Sequence, residues 1–194
     1  MTWSPSLVDL VPEQKENAAD VIFLARSCDV NSGVKRALYE LARTRLIGLH
    51  GNDVLEQPGL EHIGPADRRC VELMRELLVT TWSEVAVRIG TSSCQEDHAR
   101  KFNTSSPWPR KKKPPRETCT LKTGTPETTW NERVHDSGLY TKFLFDPVCG
   151  AQALINIPWE EEGWCSDCIQ SRRATWRNVR QNLWSDINKW VPGN

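Results

Sequence analysis

"NAADVIFLARSCDVNSGVKRALYELARTR", Asn17 to Arg45, is the stretch that decides the fold. Val21, Ile22, Leu24 and Ala25 set an apolar stripe that runs out near Cys28. Asn31-Ser32-Gly33 break it, and the Ser32 hydroxyl can cap a second helix. Val34, Ala37, Leu38, Leu41 and Ala42 then recur at steps of three and four, the period of a helix buried along one side. Two short helices on a tight link make a helical hairpin, and its apolar faces need partners.

Those partners lie downstream. Residues 46–64 are turn-rich, with Gly48, Gly51-Asn52-Asp53, Pro58-Gly59 and then Gly64-Pro65. Pro65 suits a first helical position and opens "GPADRRCVELMRELLVTTWSEVAVRI", whose predicted buried face is Cys70, Leu73, Met74, Leu77, Leu78 and Trp82. From Gly90 to Ser137 the text loses periodicity and turns rich in Pro, Ser and Thr, which predicts a surface insert. Order is predicted to return at "GLYTKFLFDPVCGAQALINIPW", with Asp146 and Pro147 as cap and first turn of a helix to about Asn156. The last helix occupies "WCSDCIQSRRATWRNVRQNLWSDINKW", Trp164 to Trp190, on a stripe of Trp176, Leu183, Ile187 and Trp190. The expected fold is all-α, an irregular bundle of five or six helices with a long basic Pro-rich insert. Residues 1–15 read as a flexible N-terminus and 16–194 as a single helical domain, interrupted by a disordered insert at about 100–135. The last helix is expected to fold back on the N-terminal hairpin.

Charge and cysteine usage narrow the function classes. The formal charge is zero, so no global field draws the chain to nucleic acid or membrane. Locally the picture alternates. Gly90 to Thr125 holds eight Lys/Arg against three Asp/Glu, Pro126 to Cys168 two against eight, and the remainder five against one. That series favours internal pairing as much as binding. No window reaches the apolar length of a membrane span, and "MTWSPSLVDLVPEQ" lacks the basic and apolar regions of a signal peptide. A cytoplasmic or nuclear setting follows, in which the seven cysteines stay reduced and clustered Cys points to metal before disulfide.

Cys165-x-x-Cys168 is the sharpest motif. Two thiolates at this spacing can meet at one tetrahedral zinc ion, and the start of a helix favours the thiolate form. Ser166 or Asp167 is the expected cap, with Cys168 in the first turn. The other ligands are expected from "SSCQEDHAR", where Cys94 and His98 stand four apart, with Cys149 as the alternative fourth ligand and Cys119 a further option. Two other readings stay open: two cysteines that simply pack, or a redox pair, although no thioredoxin-type βαβ text surrounds them. Cys28 and Cys70, on apolar helical faces, read as core.

Three stretches carry a resemblance. "DVIFLARSCDVNSGVKRALYELAR", "GPADRRCVELMRELL" and "WCSDCIQSRRATWRNVRQNLWSDINKWV", in that order, resemble the helical region downstream of the BTB/POZ domain in a family of fungal proteins. There a "P-x-D-R-R-C" helix, a variable insert and a "C-x-x-C" helix follow one another. The resemblance covers most of the chain except roughly 1–15 and 100–135. The nineteen residues before Asp20 do not match a BTB fold, so that domain's dimer surface and ubiquitin-ligase recruitment are not carried over. It implies a protein-interaction or adaptor role and no chemistry, with the protein partner unknown.

The alternative is a small nuclear zinc protein that contacts nucleic acid through "PRKKKPPR" and the arginines of the last helix. The basic patch is Arg110, Lys111, Lys112, Lys113 and Arg116 in a proline frame, which reads equally as an import signal or a solvated loop. Arg172, Arg173, Arg177 and Arg180 are expected to pair with the acids at 160–162. No nucleophile elbow, phosphate loop, dinucleotide fingerprint or His-Glu-x-x-His occurs, so the chain reads as no enzyme.

Overall fold

A computed structural model describes residues 17–30, 33–44, 63–88, 119–121 and 124–191. The described residues are all-α. In chain order the helices are α1 (Ala18–Ser27), α2 (Val34–Ala42), α3 (Pro65–Arg88), α4 (Pro126–Trp130), α5 (Leu139–Lys142), α6 (Pro147–Asn156) and α7 (Ser166–Asp186). A π-helical turn, Asn131–Asp136, continues α4, and a 3-10 turn, Ile187–Trp190, ends α7. None of these helices is long and apolar enough to cross a membrane. The expected N-terminal 1–15 segment lies outside the described residues.

The hairpin forms as its period dictates, with two changes of detail. In α1 the buried positions are Ala18, Ala19, Ile22 and Ala25, while Phe23 and Leu24 face out. Small alanines let α1 lie close on α2, and Leu24, two residues past Ile22, falls on the far side of a 3.6-residue turn. The residue preceding α2 is Gly33 at φ +90°, so Gly33 and not Ser32 occupies the capping position. In α2 all five predicted apolar residues are buried, and so are Arg36, Tyr39 and Glu40. A helix buried on every side needs its charges paired inside the protein.

They are paired. Glu40 takes the Arg36 Nε at 2.7 Å through one oxygen and Arg43 at 2.6 Å through the other. Arg43 reaches on to Asp146 at 2.6 Å, and the Tyr39 hydroxyl donates to the same carboxylate at 2.6 Å. Asp146 caps α6 as expected, accepting the Cys149 N–H at 3.0 Å. Burial works against charge on Arg43, yet the Asp146 and Glu40 carboxylates outweigh it and hold the guanidinium protonated above its ordinary range. Burial, helped by Asp146, also pushes the Tyr39 phenol well up.

Helix α3 starts at Pro65 and runs unbroken past Thr80 and Thr81. It buries Cys70, Val71, Met74, Leu78, Trp82, Val85 and Ala86, with Leu73 and Leu77 half-covered. A forked pair of hydrogen bonds, Arg26 to Asp67 at 2.8 and 3.2 Å, fastens α1 to its first turn. The C-terminus returns to the hairpin as expected. Trp184 meets Tyr39 edge-on at 5.4 Å, the Lys35 ammonium sits 4.2 Å over the Trp184 ring, and the Cys70 thiol donates to the Trp190 carbonyl. Trp190 itself is partly exposed, and Trp184 takes the place in the buried stripe predicted for it.

One expectation is corrected. Helix returns at Pro126, not Gly138, because Thr125 caps α4 through a 3.2 Å bond from the Thr128 N–H. Trp130 is then carried into the core, where its indole N–H donates to the Ala86 carbonyl at 2.8 Å. The stretch 124–135 is therefore part of the folded body, while 101–118 lies outside the described residues.

Candidate metal centre

Residues 158–164, "PWEEEGW", fold into consecutive tight turns between α6 and α7. Glu161 N–H donates to the Pro158 carbonyl at 2.9 Å, Glu162 N–H to Trp159 at 3.1 Å and Gly163 N–H to Glu160 at 3.1 Å. Gly163 ends the run at φ +85°, a conformation L side chains rarely adopt. The segment 119–121 lies directly against it: the Thr120 N–H donates to the Gly163 carbonyl at 2.8 Å. That pairing brings Cys119 to the start of α7.

Cys165 occupies the capping position of α7 and Cys168 its first turn, one residue away from the cap predicted at Ser166 or Asp167. The sulfurs of Cys119, Cys165 and Cys168 all lie within 4.8 Å of one another. A tetrahedral zinc with Zn–S bonds of about 2.3 Å holds its sulfurs about 3.8 Å apart, so a small contraction would close this triangle on an ion. The Cys165 N–H donates to the Cys119 sulfur at 3.2 Å, and the three sulfurs gather at the N-terminal end of α7. Three soft sulfur donors suit zinc or copper(I), not magnesium or calcium. The group could hold a metal ion.

An aromatic wall backs it. Trp130 stacks on Trp159 at 5.7 Å and 8° and lies 6.1 Å from Trp176. Trp159 also meets Trp164 at 5.1 Å and Trp176 at 5.9 Å. All four are buried, and Trp164 is the residue before Cys165. Cys168 and Cys165 are themselves buried, and Cys119 is the half-exposed member.

Searches against protein-family models, curated proteins and solved structures find no match to this chain.

The structure thus brings together Cys165, Cys168 and the option Cys119. Cys94 and His98 lie outside the described residues, as does the basic patch from Arg110 to Arg116. Cys149 does not join the three thiols; it lies against Arg43, 3.8 Å from Nη1, at the N-terminal end of α6. The signal that could have selected Cys119 is Gly163: a glycine two residues before Cys165 permits another backbone to come close. The arginine face is largely spent on the fold. Arg173 pairs with Glu160 at 2.7 Å and covers the carbonyls of Ile155 and Ile157, while Arg180 bonds Gln152. Glu162 pairs instead with Arg133.

Thiol chemistry separates the remaining cysteines. Burial, with Asp146 beside it, pushes the Cys149 thiol up to about 12, and burial with Asp67 pushes Cys70 up to about 11. Cys28 is exposed. Because the thiolate is the nucleophile, native-state alkylation at neutral pH is expected to label Cys28 first and to leave Cys70 and Cys149 unmodified until the protein unfolds. Peptide mapping by mass spectrometry checks this; equal labelling of Cys149 and Cys28 would contradict the burial.

Proposed function

We propose that this chain is a non-enzymatic protein-interaction module whose helical core is closed by one structural zinc ion. Cys119, Cys165 and Cys168 are three of its ligands. The observation that carries the reading is the convergence of three thiols from segments 46 residues apart in sequence, at the N-terminal end of a helix and next in the chain to the buried Trp164. A fourth donor would complete the tetrahedron, and Cys94 or His98 remains its expected source. The zinc would act on the fold alone, fastening the segment 119–121 to α7. Its net effect grows with free metal, by about 4 kcal/mol when zinc stands a thousandfold above its dissociation constant.

The interaction role rests on the resemblance to the region downstream of BTB domains in fungal proteins and on the placing of its motif residues. Arg26 and Asp67 join α1 to α3, and Tyr39 and Arg43 join α2 to Asp146 at the cap of α6. These are clasps between helices, which suits a signature of fold and not of catalysis. Phe23 and Leu24, neighbours on the outer side of α1, offer apolar surface to a protein partner.

Metal analysis by mass spectrometry on the purified protein tests the zinc. About one zinc per chain is expected, lost in Cys165→Ser/Cys168→Ser together with a lowered melting temperature. Metal-free protein that stays equally stable in chelator would leave the cysteines as packing residues.

A further inference from the structure

The three thiols of the candidate metal centre differ in access. Cys165 is 6% exposed and Cys168 1%, whereas Cys119 is half-exposed, the member most open to solvent. They also differ in origin. Cys119 comes from the segment 119–121, the other two from the start of α7. Two hydrogen bonds hold these segments together: the Thr120 N–H donates to the Gly163 carbonyl at 2.8 Å, and the Cys165 N–H to the Cys119 sulfur at 3.2 Å.

Sulfurs within 4.8 Å of one another can do more than share an ion. A disulfide bond is about 2.0 Å long, so a closing movement of at most roughly 2.8 Å joins Cys119 to a thiol of α7. The oxidant must be small enough to enter at Cys119, which suits a hydroperoxide. The Cys119 sulfur attacks one oxygen of hydrogen peroxide: an S–O bond forms, the O–O bond breaks, and hydroxide departs with the electron pair. Sulfur is thereby oxidised by two electrons to the sulfenic acid, and the peroxide is reduced. A sulfur of α7 then attacks the Cys119 sulfur. The S–S bond forms, the S–O bond breaks and a second hydroxide leaves. Starting from two thiols, the two thiol protons leave with the hydroxides as two waters. The other cysteines are placed differently: Cys70 and Cys149 are buried, and Cys28, though exposed, follows α1 and lies outside the group.

We infer that Cys119 is a site of hydroperoxide oxidation resolved by Cys165 or Cys168, so that a disulfide takes over from the metal in fastening the segment 119–121 to α7. The metal half of this rests on the zinc reading above, while the disulfide needs only the three thiols. Oxidation withdraws two of three sulfur ligands at once and so expels the ion. It does not release the segment, because the new bond joins the same two pieces of chain.

The test treats the reduced, zinc-loaded full chain with a small excess of hydrogen peroxide, blocks remaining thiols by alkylation, and maps the monomer under non-reducing conditions. A chromophoric chelator follows the zinc. Expected is a disulfide between the peptide that holds Cys119 and the one that holds Cys165 and Cys168, with about one zinc released per disulfide and both changes reversed by a thiol reductant. In Cys119→Ser the α7 thiols should oxidise about tenfold more slowly or less. A Cys165–Cys168 disulfide with Cys119 still open to alkylation overturns the inference. So does loss of the α7 thiols at the wild-type rate in Cys119→Ser, or Cys119 oxidised to sulfinic acid with no disulfide. If Cys119→Ser does not fold, the wild-type map alone decides. Wild type that binds no zinc but forms the Cys119 disulfide overturns the zinc reading and upholds the oxidation site. Wild type that binds zinc and keeps it under peroxide does the reverse.

Discussion

Asp146→Ala is expected to lower the unfolding free energy by about 3–5 kcal/mol. The carboxylate does three tasks at once. It takes the Arg43 guanidinium at 2.6 Å, takes the Tyr39 hydroxyl at 2.6 Å, and caps α6 by accepting the Cys149 N–H. Alanine removes the cap, worth about 1 kcal/mol by itself, and strands Arg43, which is buried and left to share Glu40 with Arg36. Urea denaturation followed by tryptophan fluorescence measures the loss. Asp146→Asn keeps an oxygen for the cap and the phenol, so it should cost less. An Asp146→Ala loss under about 1 kcal/mol would mean that Arg43 escapes to water and that the network is not sealed. Replacing Arg43 by methionine in the alanine background should return part of the stability, because the uncompensated charge is then gone.

Gly163→Ala is expected to cost at least about 2 kcal/mol and, on the zinc reading proposed above, to weaken metal binding. A methyl group there would stand 1.9 Å from the Thr120 carbonyl oxygen, a contact with backbone that no rotamer change relieves. The φ of +85° adds the left-handed penalty of about 1–2 kcal/mol. To escape, the segment 119–121 must move off, and its hydrogen bond to Gly163 and the position of Cys119 go with it. Gly138→Ala is the matched control. It has φ +75° but open space around its Cβ, so it should lose only the conformational part. Thermal melting and zinc content on the two variants, side by side, separate the effects. Equal losses at both positions, with zinc retained, would show that Cys119 does not depend on the Thr120–Gly163 contact.

The helices were legible because their chemistry is local. Pro65 and the Asp146-Pro147 pair each announced a helix start, and the steps of three and four in Val34 to Ala42 gave α2 its apolar face. What escaped is long-range. Nothing near Tyr39, Glu40 and Arg43 in sequence says that they are buried, because their partner Asp146 arrives 103 residues after Arg43. Polar residues on a short helix read as solvated unless the distant partner is known. The same holds for the site. Cys165 and Cys168 declare themselves by spacing, whereas Cys119 is 46 residues before Cys165 and is recruited by a backbone contact. Trp130 was hidden for a different reason: α4 is only five residues, too short for any periodic signal, and stands on its Thr125 cap and its burial.

The distances along the chain that close the hairpin have a consequence for synthesis. Tyr39 waits 107 residues for Asp146, Cys70 waits 120 for the Trp190 carbonyl, and Lys35 waits 149 for Trp184. At about 5–20 residues per second a ribosome needs about 5–20 s to cover the first of these gaps alone. During that time Arg36, Glu40 and Arg43 must stay hydrated, so α2 cannot take its final place while it emerges. Folding of the N-terminal third is therefore completed from the C-terminus, after translation has delivered α6 and α7, and a nascent chain stalled before residue 146 would present its hairpin as an open, chaperone-accessible surface.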